Sequence, residues 1–446
     1  MQNIVVFGAG KSSGALIEFL WKHAASDNFL VTVADASKPN LAEITKSYVG
    51  IETVYINGVE DIQVKSLIEK STLVISMLPA FLHIEIAKHC LAEKKNLITP
   101  SYISPEMEAM KSEVEKAGLL FLNEMGLDPG IDHLSACEMI HAAQEKGATI
   151  ESFKSHCGGL VAKESNDNPW GYKFSWNPRN VVLAGQGSDF IKWKENGRIQ
   201  FLPYHRLFAS AEIIAFESEK LESYPNRDSL VFIEPYGLQN AQTVYRGTLR
   251  YENYCQSWNL LVQLGLCNNY TEIELSENET KMSFLSKFVQ GASGSNLELQ
   301  TTKILAVDVG SKPFQNLKWL GLFTNEKISL SGKQTAAAVL QSILEEKWKL
   351  KEGDKDRVVM VHEMIYELAG KQYLATAVLD RNGNENHTAM AETVGLPIGI
   401  AARMILKNQI ELVGVVRPVM KEIYEPVLAE LAILGVSFKH FEKCLN

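Results

Sequence analysis

One short segment combines residue types that could do chemistry at close spacing. Residues 123–133 place polar, Gly and Pro residues in the middle of an otherwise ordinary apolar chain. The segment follows the apolar run Leu119–Leu122, which is typical of a strand, so Asp128 is expected in a loop at that strand's carboxyl end. Ligands of open α/β sheets gather at such ends. Asp128 is therefore a candidate site residue rather than a core residue.

The alternative role for Asp128 is structural. Pro129 fits the first turn of a helix, where its missing N–H costs nothing. An Asp directly before such a helix would accept hydrogen bonds from the unpaired amides of the first turn. The loop alone leaves both roles open.

Composition sets the class of protein. A chain of 446 residues with 46% hydrophobic and 22% charged residues is globular, and its length suggests two or three domains. The net charge of −9 argues against nucleic-acid binding, which requires clustered Lys and Arg. No unbroken apolar run of about 18 residues is available to cross a bilayer, so no membrane contact is expected.

The six cysteines show neither paired CxxC spacing nor the density of a secreted disulfide framework. Reduced thiols are therefore expected, and no metal site is predicted. The first residues, Met1–Gly8, lack the charged head and cleavage site of a signal peptide, so we expect a cytoplasmic protein.

Strand-like and helix-like patterns alternate through the N-terminal part of the chain. The predicted strands are Asn3–Phe7, Leu30–Ala34, Val54–Ile56, Leu73–Met77 and Asn96–Thr99. This alternation predicts an α/β fold with a doubly wound, Rossmann-type parallel sheet. Longer strands are predicted after Asp128, at residues 150–156, 230–233 and 243–251, and they indicate a second α/β domain with a mixed sheet. From about 257 to 350 the pattern is mostly helical, so a small all-α domain is expected.

The first predicted strand runs into a glycine turn. Gly8 and Gly10 allow a tight turn and close approach of the backbone to a pyrophosphate at a helix start. Gly14 lies one position late for the dinucleotide fingerprint, with Ser13 at the expected place, so this match alone is weak. The candidate cofactor-binding residues of this turn are Gly8, Gly10, Lys11, Ser12 and Ser13.

Asp35 ends the second predicted strand, at the ~20-residue spacing at which a carboxylate binds the ribose of a dinucleotide. A carboxylate there would repel the 2′-phosphate of NADP, so NAD is the predicted cofactor and NADP the alternative. Lys38 could still reach a phosphate, and Asp35 could instead be an ordinary turn residue.

Several further segments, taken together in order and spacing, give the chain a family resemblance. They are Ser101–Pro105, Ser155–Gly159, Gly171–Trp176, Tyr224–Ser229, Arg246–Tyr251, Trp319–Gly321 and Thr393–Pro397. With residues 123–133 they resemble the glutamate-forming saccharopine dehydrogenases, also called saccharopine reductases. The resemblance covers essentially the whole chain.

This resemblance implies an oxidoreductase of lysine metabolism. It would oxidise saccharopine reversibly, with a nicotinamide cofactor and water, to L-glutamate and 2-aminoadipate 6-semialdehyde. Fungal members of the family use NADP and carry an Arg near the place of Asp35, whereas animal and plant degradative enzymes use NAD and show an acidic residue there. A homodimer is also implied.

The resemblance also implies roles for particular residues. The segment Ser76–Pro79 would border the cofactor, with Leu78 and Pro79 in contact with it, although this segment could be an ordinary strand-to-helix turn. Trp176 would also contact the cofactor. The implied substrate-binding residues are Ser101, Tyr102, Asp128, Arg227, Arg246 and Thr248. The two arginines offer a planar fork that matches a carboxylate. Arg227 could instead pair with the neighbouring Asp228, and Tyr102 could be a packing aromatic.

The catalytic candidates are Asp128, Tyr102 and Cys157, and the general base stays unassigned among them. An ordinary Asp pKa near ~3.9 makes a poor base at neutral pH unless burial raises it. His156 has a better-matched ordinary pKa, but the family usually has Tyr at that place. A buried strand His is the structural alternative.

The resemblance places the last part of the chain back in the first domain. The predicted domains are 1–127 plus 389–446 for the dinucleotide, 128–256 plus 355–388 for the substrate, and 257–354 for the helical part. Two other functions stay open at this point. One is a reductive condensation of an aldehyde with an amine, as in carboxynorspermidine dehydrogenase, and the other is a non-catalytic NAD-binding regulator.

Overall fold

The computed structural model describes residues 1–187 and 190–445. The chain forms two compact units. Unit 1 comprises Met1–Ile150 and the segment from Tyr366 onward, and unit 2 comprises Glu151–Ile365. The three-domain division given above, with its boundaries, stays a prediction.

Unit 1 begins with alternating strands and helices. The strands are β1 (Gln2–Phe7), β2 (Phe29–Asp35), β3 (Glu52–Tyr55), β4 (Leu73–Ser76), β5 (Asn96–Ile98) and β6 (Leu120–Leu122). The helices are α1 (Gly14–Ala24), α2 (Lys38–Ser47), α3 (Ile62–Lys70), α4 (His83–Ala92), α5 (Pro105–Ala109), α6 (Lys111–Lys116) and α7 (Ile131–Glu145). A short 3-10 helix at Ala80–Leu82 precedes α4.

The segment from Tyr366 onward completes unit 1. It contains β16 (Lys371–Asn382), α14 (Ala389–Leu406), β17 (Gly414–Val416), α15 (Lys421–Ile433) and β18 (Lys439–Cys444). Strand β17 pairs with β6, and β16 pairs antiparallel with β18. The main sheet has the order β3-β2-β1-β4-β5-β6-β17, and all of these strands are parallel. The predicted doubly wound parallel sheet is therefore confirmed.

Close helix packing fixes the C-terminal segment to the glycine-turn helix. Helix α14 packs against α1 at Gly395 and Gly399. An added Cβ at Gly395 would lie 2.8 Å from the Leu16 backbone nitrogen, and one at Gly399 would lie 2.5 Å from the Phe19 ring. Helix α14 is long and apolar enough to cross a bilayer, yet most of it is buried inside the protein, as in a core helix.

Unit 2 contains a second, mixed sheet. Its strands are β7 (Thr149–Val161), β8 (Phe190–Glu195), β9 (Arg198–Pro203), β10 (Glu212–Phe216), β11 (Glu219–Pro225), β12 (Thr243–Tyr251) and β15 (Asp356–Leu368), of which β7 and β15 cross the unit boundary by a few residues. Strand β12 pairs parallel with β7 and antiparallel with β11 and β8. The predicted mixed sheet is confirmed.

One predicted strand is wrong. Residues 230–233 are apolar and partly β-branched, which is typical of a strand, but Ser229–Phe232 forms a 3-10 helix. The Asp228 carboxylate accepts a hydrogen bond from the Leu230 amide at 2.9 Å and so caps this helix. A local cap has overridden the strand propensity.

The remaining elements of unit 2 are mostly helical. They are α8 (Pro178–Val182), α9 (Tyr254–Gln263), β13 (Glu272–Leu275), α10 (Lys281–Ser286), α11 (Leu297–Leu305), α12 (Lys312–Trp319), β14 (Gly332–Thr335) and α13 (Ala336–Lys347). Strands β13 and β14 form a small antiparallel pair. Buried aromatic side chains, including Trp170, Trp258 and Trp348, pack against one another in the core of this unit.

Candidate active site

The glycine turn between β1 and α1 has a shape that requires glycine at its first position. Gly8 has φ +105°, and an added Cβ would lie 2.9 Å from the Met77 backbone. An added Cβ at Gly10 would meet nothing within 4 Å, so the turn leaves open space on that side. The Ser13 hydroxyl donates to the Gly10 carbonyl at 2.7 Å and stiffens the turn just before α1 begins.

Asp35 at the end of β2 is tied to this turn. One carboxylate oxygen accepts from the Ala9 amide and the other from the Ser37 amide, each at 2.6 Å. Asp35 therefore holds the glycine turn and the start of α2 together. The Lys38 ammonium lies 4.9 Å from the centre of the Tyr55 ring.

The other predicted cofactor contacts of unit 1 border the same edge of the sheet. Lys11 is exposed and Ser12 half-buried in the glycine turn. Leu78 and Pro79 follow β4, the strand beside β1, and Pro79 accepts the first hydrogen bond of the 3-10 helix from the Leu82 amide. All of these residues lie at the carboxyl edge of the sheet next to β1, where the strand order reverses and dinucleotides bind in folds of this type.

Asp128 does not cap the helix that follows it. Helix α7 begins at Ile131 rather than at Pro129, and its N-cap residue is Gly130. The carboxylate that binds the Gly130 amide belongs to Asp132, at 2.6 Å. The capping role considered above for Asp128 is therefore wrong, because the chain turns once more between Asp128 and the helix.

The loop instead presents Asp128 to the outside while its neighbours are buried. Gly130 has φ +146°, and an added Cβ there would lie 1.9 Å from the Gly126 carbonyl oxygen, so only glycine closes this turn. Asp128 is the half-exposed residue of this otherwise buried segment. The Tyr102 hydroxyl donates to its carboxylate at 2.8 Å. Two residues predicted for the site from separate segments thus meet directly, and Tyr102 has a polar partner rather than a packing role alone.

A buried carboxylate that sequence reasoning missed holds these two loops in place. Glu124 has φ +57° and is almost fully buried. Its side chain accepts from the Ile103 amide at 3.0 Å, from Arg417 Nε at 3.0 Å and from His133 Nε2 at 2.8 Å. Burial alone would raise the pKa of Glu124, but the hydrogen bond and charge of His133 and the charge of Arg417 lower it overall.

A second network, also missed, reaches the loop that carries Ser101. The buried His83 imidazole lies 2.8 Å from the Ser76 hydroxyl through Nδ1 and 2.8 Å from the Ser101 hydroxyl through Nε2. Burial lowers the pKa of His83 to about 4, so the ring is neutral at neutral pH. Ser76 ends β4 and His83 begins α4, so this network joins two elements to the Ser101 loop.

In unit 2 the predicted residues of β7 and β12 share one face of the sheet. Thr248 is paired with Cys157, and Arg246 with Ser155, in a parallel register. Paired residues point to the same face, and so do residues two apart along a strand. Cys157, Arg246 and Thr248 are therefore brought together. Thr248 also hydrogen-bonds the Tyr224 hydroxyl, whose pKa burial raises to about 12.

His156 lies on the opposite face. Its Nδ1 is 2.8 Å from the Ser223 hydroxyl. This hydrogen bond passes directly over Gly247, where an added Cβ would lie 2.4 Å from the Ser223 oxygen. Burial lowers the pKa of His156 to about 3, and the charges of Lys154 and His362 contribute smaller shifts in the same direction. A ring held neutral on the other face of the sheet fits the structural alternative given above.

The two predicted arginines are held in different ways. Arg246 is buried with its guanidinium carbon 4.1 Å from the centre of the Phe232 ring, and its amide donates to the Ser229 hydroxyl. Arg227 has an exposed side chain on a backbone with φ +53°. The neighbouring Asp228 carboxylate lies 3.3 Å from the Lys192 ammonium.

Trp176, the predicted cofactor contact of unit 2, lies at the edge of the aromatic core. Its indole N–H donates to the Tyr172 hydroxyl at 3.0 Å, and its ring is partly buried. Its contact with a cofactor stays a prediction. Among the described residues, no group of His, Cys, Asp and Glu is arranged to hold a metal ion.

Comparison with known families covers nearly the whole chain. Residues 4–122 match the saccharopine dehydrogenase NADP binding domain, and residues 126–436 match the saccharopine dehydrogenase C-terminal domain.

Individual relatives agree with these matches. The mitochondrial alpha-aminoadipic semialdehyde synthase of Rattus norvegicus is 34% identical over 98% of this chain, which spans 47% of that protein. The chain thus spans about half the length of the animal synthases that it matches. The NADP(+), L-glutamate-forming saccharopine dehydrogenase of Saccharomyces cerevisiae is 32% identical over 96% of both chains.

Solved structures give the same result. The apo, histidine-tagged saccharopine dehydrogenase (L-Glu forming) from Saccharomyces cerevisiae superimposes with a TM-score of 0.88 at 31% identity and full coverage of both chains. The homospermidine synthase of Legionella pneumophila, with a TM-score of 0.56 at 10% identity, shares the fold. The family predicted from the scattered motifs is confirmed: the chain belongs to the saccharopine dehydrogenase family.

Proposed function

We propose that this protein oxidises the CH–NH group of saccharopine with a nicotinamide cofactor and water, giving L-glutamate and 2-aminoadipate 6-semialdehyde reversibly. The observation that carries this proposal is the Tyr102–Asp128 pair, 2.8 Å apart on two loops at the carboxyl edge of the parallel sheet. The sequence and structure of relatives named as L-glutamate-forming saccharopine dehydrogenases support it over the whole chain.

The glycine turn fits a dinucleotide. Three features of the turn suit a pyrophosphate. There is open space beside Gly10, a side chain at Gly8 would clash with the Met77 backbone, and helix α1 begins directly after the turn. Gly8, Gly10, Lys11, Ser12 and Ser13 would hold it, with Asp35, Leu78 and Pro79 at the borders. When bound, the cofactor supplies the hydride acceptor. We propose NAD as the preferred form because of the Asp35 carboxylate, although the matched domain family and the yeast relative are named for NADP.

Asp128 suits the secondary ammonium of saccharopine. A carboxylate accepts from an ammonium in a charge-assisted hydrogen bond. The hydrogen bond that Tyr102 donates stabilises the ionised carboxylate, and this favours holding the substrate cation over acting as a strong base. Glu124 fixes the two loops that carry Tyr102 and Asp128, so their geometry is set before a ligand arrives.

The substrate also carries three carboxylates, which call for cationic and hydroxyl donors. Arg227 and Arg246 offer guanidinium forks, and Thr248 offers a hydroxyl on the same sheet face as Arg246. We assign these three residues to substrate carboxylates. Cys157, paired with Thr248 in the sheet, would line the same place.

We further propose that the protein works on small molecules as a cytoplasmic homodimer, without nucleic acid or membrane. Its net charge of −9 disfavours nucleic acid. The six cysteines lack the paired or dense spacing of a secreted disulfide framework, which suits a reducing compartment. The dimer rests on the family resemblance alone, and size-exclusion chromatography with light scattering would test it.

The activity is tested by incubating the protein with saccharopine and either NAD or NADP, and following the absorbance of the reduced nicotinamide. Production of glutamate, measured by chromatography, should match the reduced cofactor formed. Absence of turnover with saccharopine, together with oxidation of NADH or NADPH when an aldehyde and an amine are supplied, would replace this proposal by reductive condensation. Cofactor binding without any turnover would replace it by a regulatory role.

A further inference from the structure

The neutral imidazole of His83 lies between two hydroxyl groups of very different exposure. Ser76, on its Nδ1 side, is completely buried, whereas Ser101, on its Nε2 side, is partly exposed in the loop next to Tyr102. Both nitrogen-to-oxygen distances are 2.8 Å. Because a neutral imidazole has one donor and one acceptor nitrogen, the two hydrogen bonds must run in the same direction along the chain of three residues.

Burial of Ser76 sets that direction. Within the described residues, the Ser76 hydroxyl forms its hydrogen bond with His83 and with no other group. If His83 Nδ1 donated to Ser76, the Ser76 hydrogen would be buried without an acceptor, which costs about 1–3 kcal/mol. Ser76 therefore donates to Nδ1, and the ring proton resides on Nε2. Burial lowers the pKa of His83 to about 4, so a second ring proton does not remove this preference near neutral pH.

The same direction determines what Ser101 can offer to a ligand. His83 Nε2–H donates to the Ser101 oxygen, so the Ser101 hydrogen cannot point at His83 and is left to be donated elsewhere. A hydroxyl whose hydrogen is directed away from His83 suits an acceptor such as a carboxylate. We propose that His83 is a positioning residue that fixes Ser101 as a hydrogen-bond donor to a carboxylate of the substrate. This inference rests on the proposed function.

The competing explanation is that His83 only ties α4 to the sheet. Substitutions that keep one of its two hydrogen bonds separate these roles. In His83→Gln the amide nitrogen can take the place of Nε2 and donate to Ser101, whereas in His83→Asn the shorter side chain reaches only the Ser76 side. Both variants are neutral and polar, and each keeps one link.

The experiment measures equilibrium binding of saccharopine by calorimetry, its KM and kcat, cofactor affinity and the melting temperature. His83→Asn should weaken saccharopine binding by about tenfold to a hundredfold, the range for losing one hydrogen bond to a charged group. His83→Gln should stay within a few fold of wild type. Cofactor affinity should be unchanged in both.

Two further variants show whether His83 acts through Ser101. The double variant His83→Asn with Ser101→Ala should bind saccharopine no more weakly than Ser101→Ala alone, because the shared hydrogen bond is already lost. Ser76→Ala removes the donor that fixes the position of the ring proton of His83. It should therefore weaken saccharopine binding, although Ser76 does not itself contact the substrate. This variant provides the test if a His83 variant fails to fold.

The outcomes distinguish the positioning role of His83 from the proposed oxidation of saccharopine. Equal saccharopine affinity in the Asn and Gln variants, additive losses in the double variant, or an unaffected Ser76→Ala would overturn the positioning role. Wild-type protein that neither binds nor oxidises saccharopine would instead overturn the proposed function itself.

Discussion

At the scale of single residues, a substitution of Asp35 would have two separate effects, one on cofactor preference and one on the structure of the glycine turn. It would disfavour a 2′-phosphate by charge repulsion, and it also holds the amides of Ala9 and Ser37. A substitution that removes only the charge is therefore more informative than truncation.

Asp35→Asn should raise the ratio of kcat/KM for NADP to that for NAD by about tenfold, because the repulsion between like charges is lost while one amide acceptor remains. Steady-state kinetics with both cofactors measures this ratio in variant and wild type. The prediction fails if the ratio is unchanged, or if wild-type protein already prefers NADP.

Arg227→Lys should weaken saccharopine turnover by roughly 1.5–3 kcal/mol in kcat/KM, because Lys cannot replace a two-pronged guanidinium contact. Cofactor affinity should be unchanged. Arg198→Lys, at an exposed arginine that begins β9, is the matched control and should behave as wild type. Unaltered saccharopine kinetics in Arg227→Lys would remove Arg227 from the substrate site.

At the scale of elements, the sequence predicted features that depend on a local pattern, and it did not predict contacts between residues far apart in the chain. The strand at Thr243–Tyr251 follows from an apolar pattern within one segment, and its bounds agree with the structure. The Glu124–Arg417 contact joins residues 293 positions apart, so no local pattern contains it. The local pattern also could not exclude Asp128 as a helix cap, because the turn at residues 126–130 depends on the packing of backbone atoms around Gly130.

Glu124→Gln should lower the free energy of unfolding by roughly 1.5–3 kcal/mol at pH 7, the range for hydrogen bonds to a charged group. The pKa of Glu124 is lowered in the folded protein, so its stabilising contribution is present above the ordinary value of 4.5 and is lost as the pH falls through the folded value. Denaturant unfolding at several pH values measures this difference, which should shrink below pH 4.5. A difference that grows on acidification would contradict the assignment.

Gly247→Ala should destabilise the protein by about 1–3 kcal/mol, because a methyl group cannot fit beside the bond between His156 and Ser223. The matched control is Gly294→Ala, where an added Cβ would meet only the Met282 sulfur at 3.7 Å. Chemical denaturation compares the two variants with wild type. Similar effects of both substitutions would show that the close approach at Gly247 carries no cost.

At the scale of the whole molecule, the family could be predicted because its motifs are scattered along the chain in a fixed order, whereas the positions of the supporting residues could not. Glu124 lies in the polar segment 123–133 and Ser76 ends a predicted strand, but the supporting roles of these residues and of His83 depend on burial and on partners in other elements. The sequence predicted Asp128 at a strand's carboxyl end and a glycine turn after the first strand, and the strand order of the structure puts both at the same edge of the parallel sheet.

The most direct test of the central claim compares saccharopine oxidation and melting temperature in wild type, Asp128→Asn and Asp61→Asn. Asp61 caps α3 through the Gln63 amide at 2.9 Å and is the control for a purely structural carboxylate. We expect Asp128→Asn to lower kcat by roughly 10²-fold or more with an unchanged melting temperature, because the charge facing the substrate ammonium is lost. Asp61→Asn should keep full activity, because Asn retains an acceptor oxygen at the N-cap position. Full activity in Asp128→Asn would contradict the account.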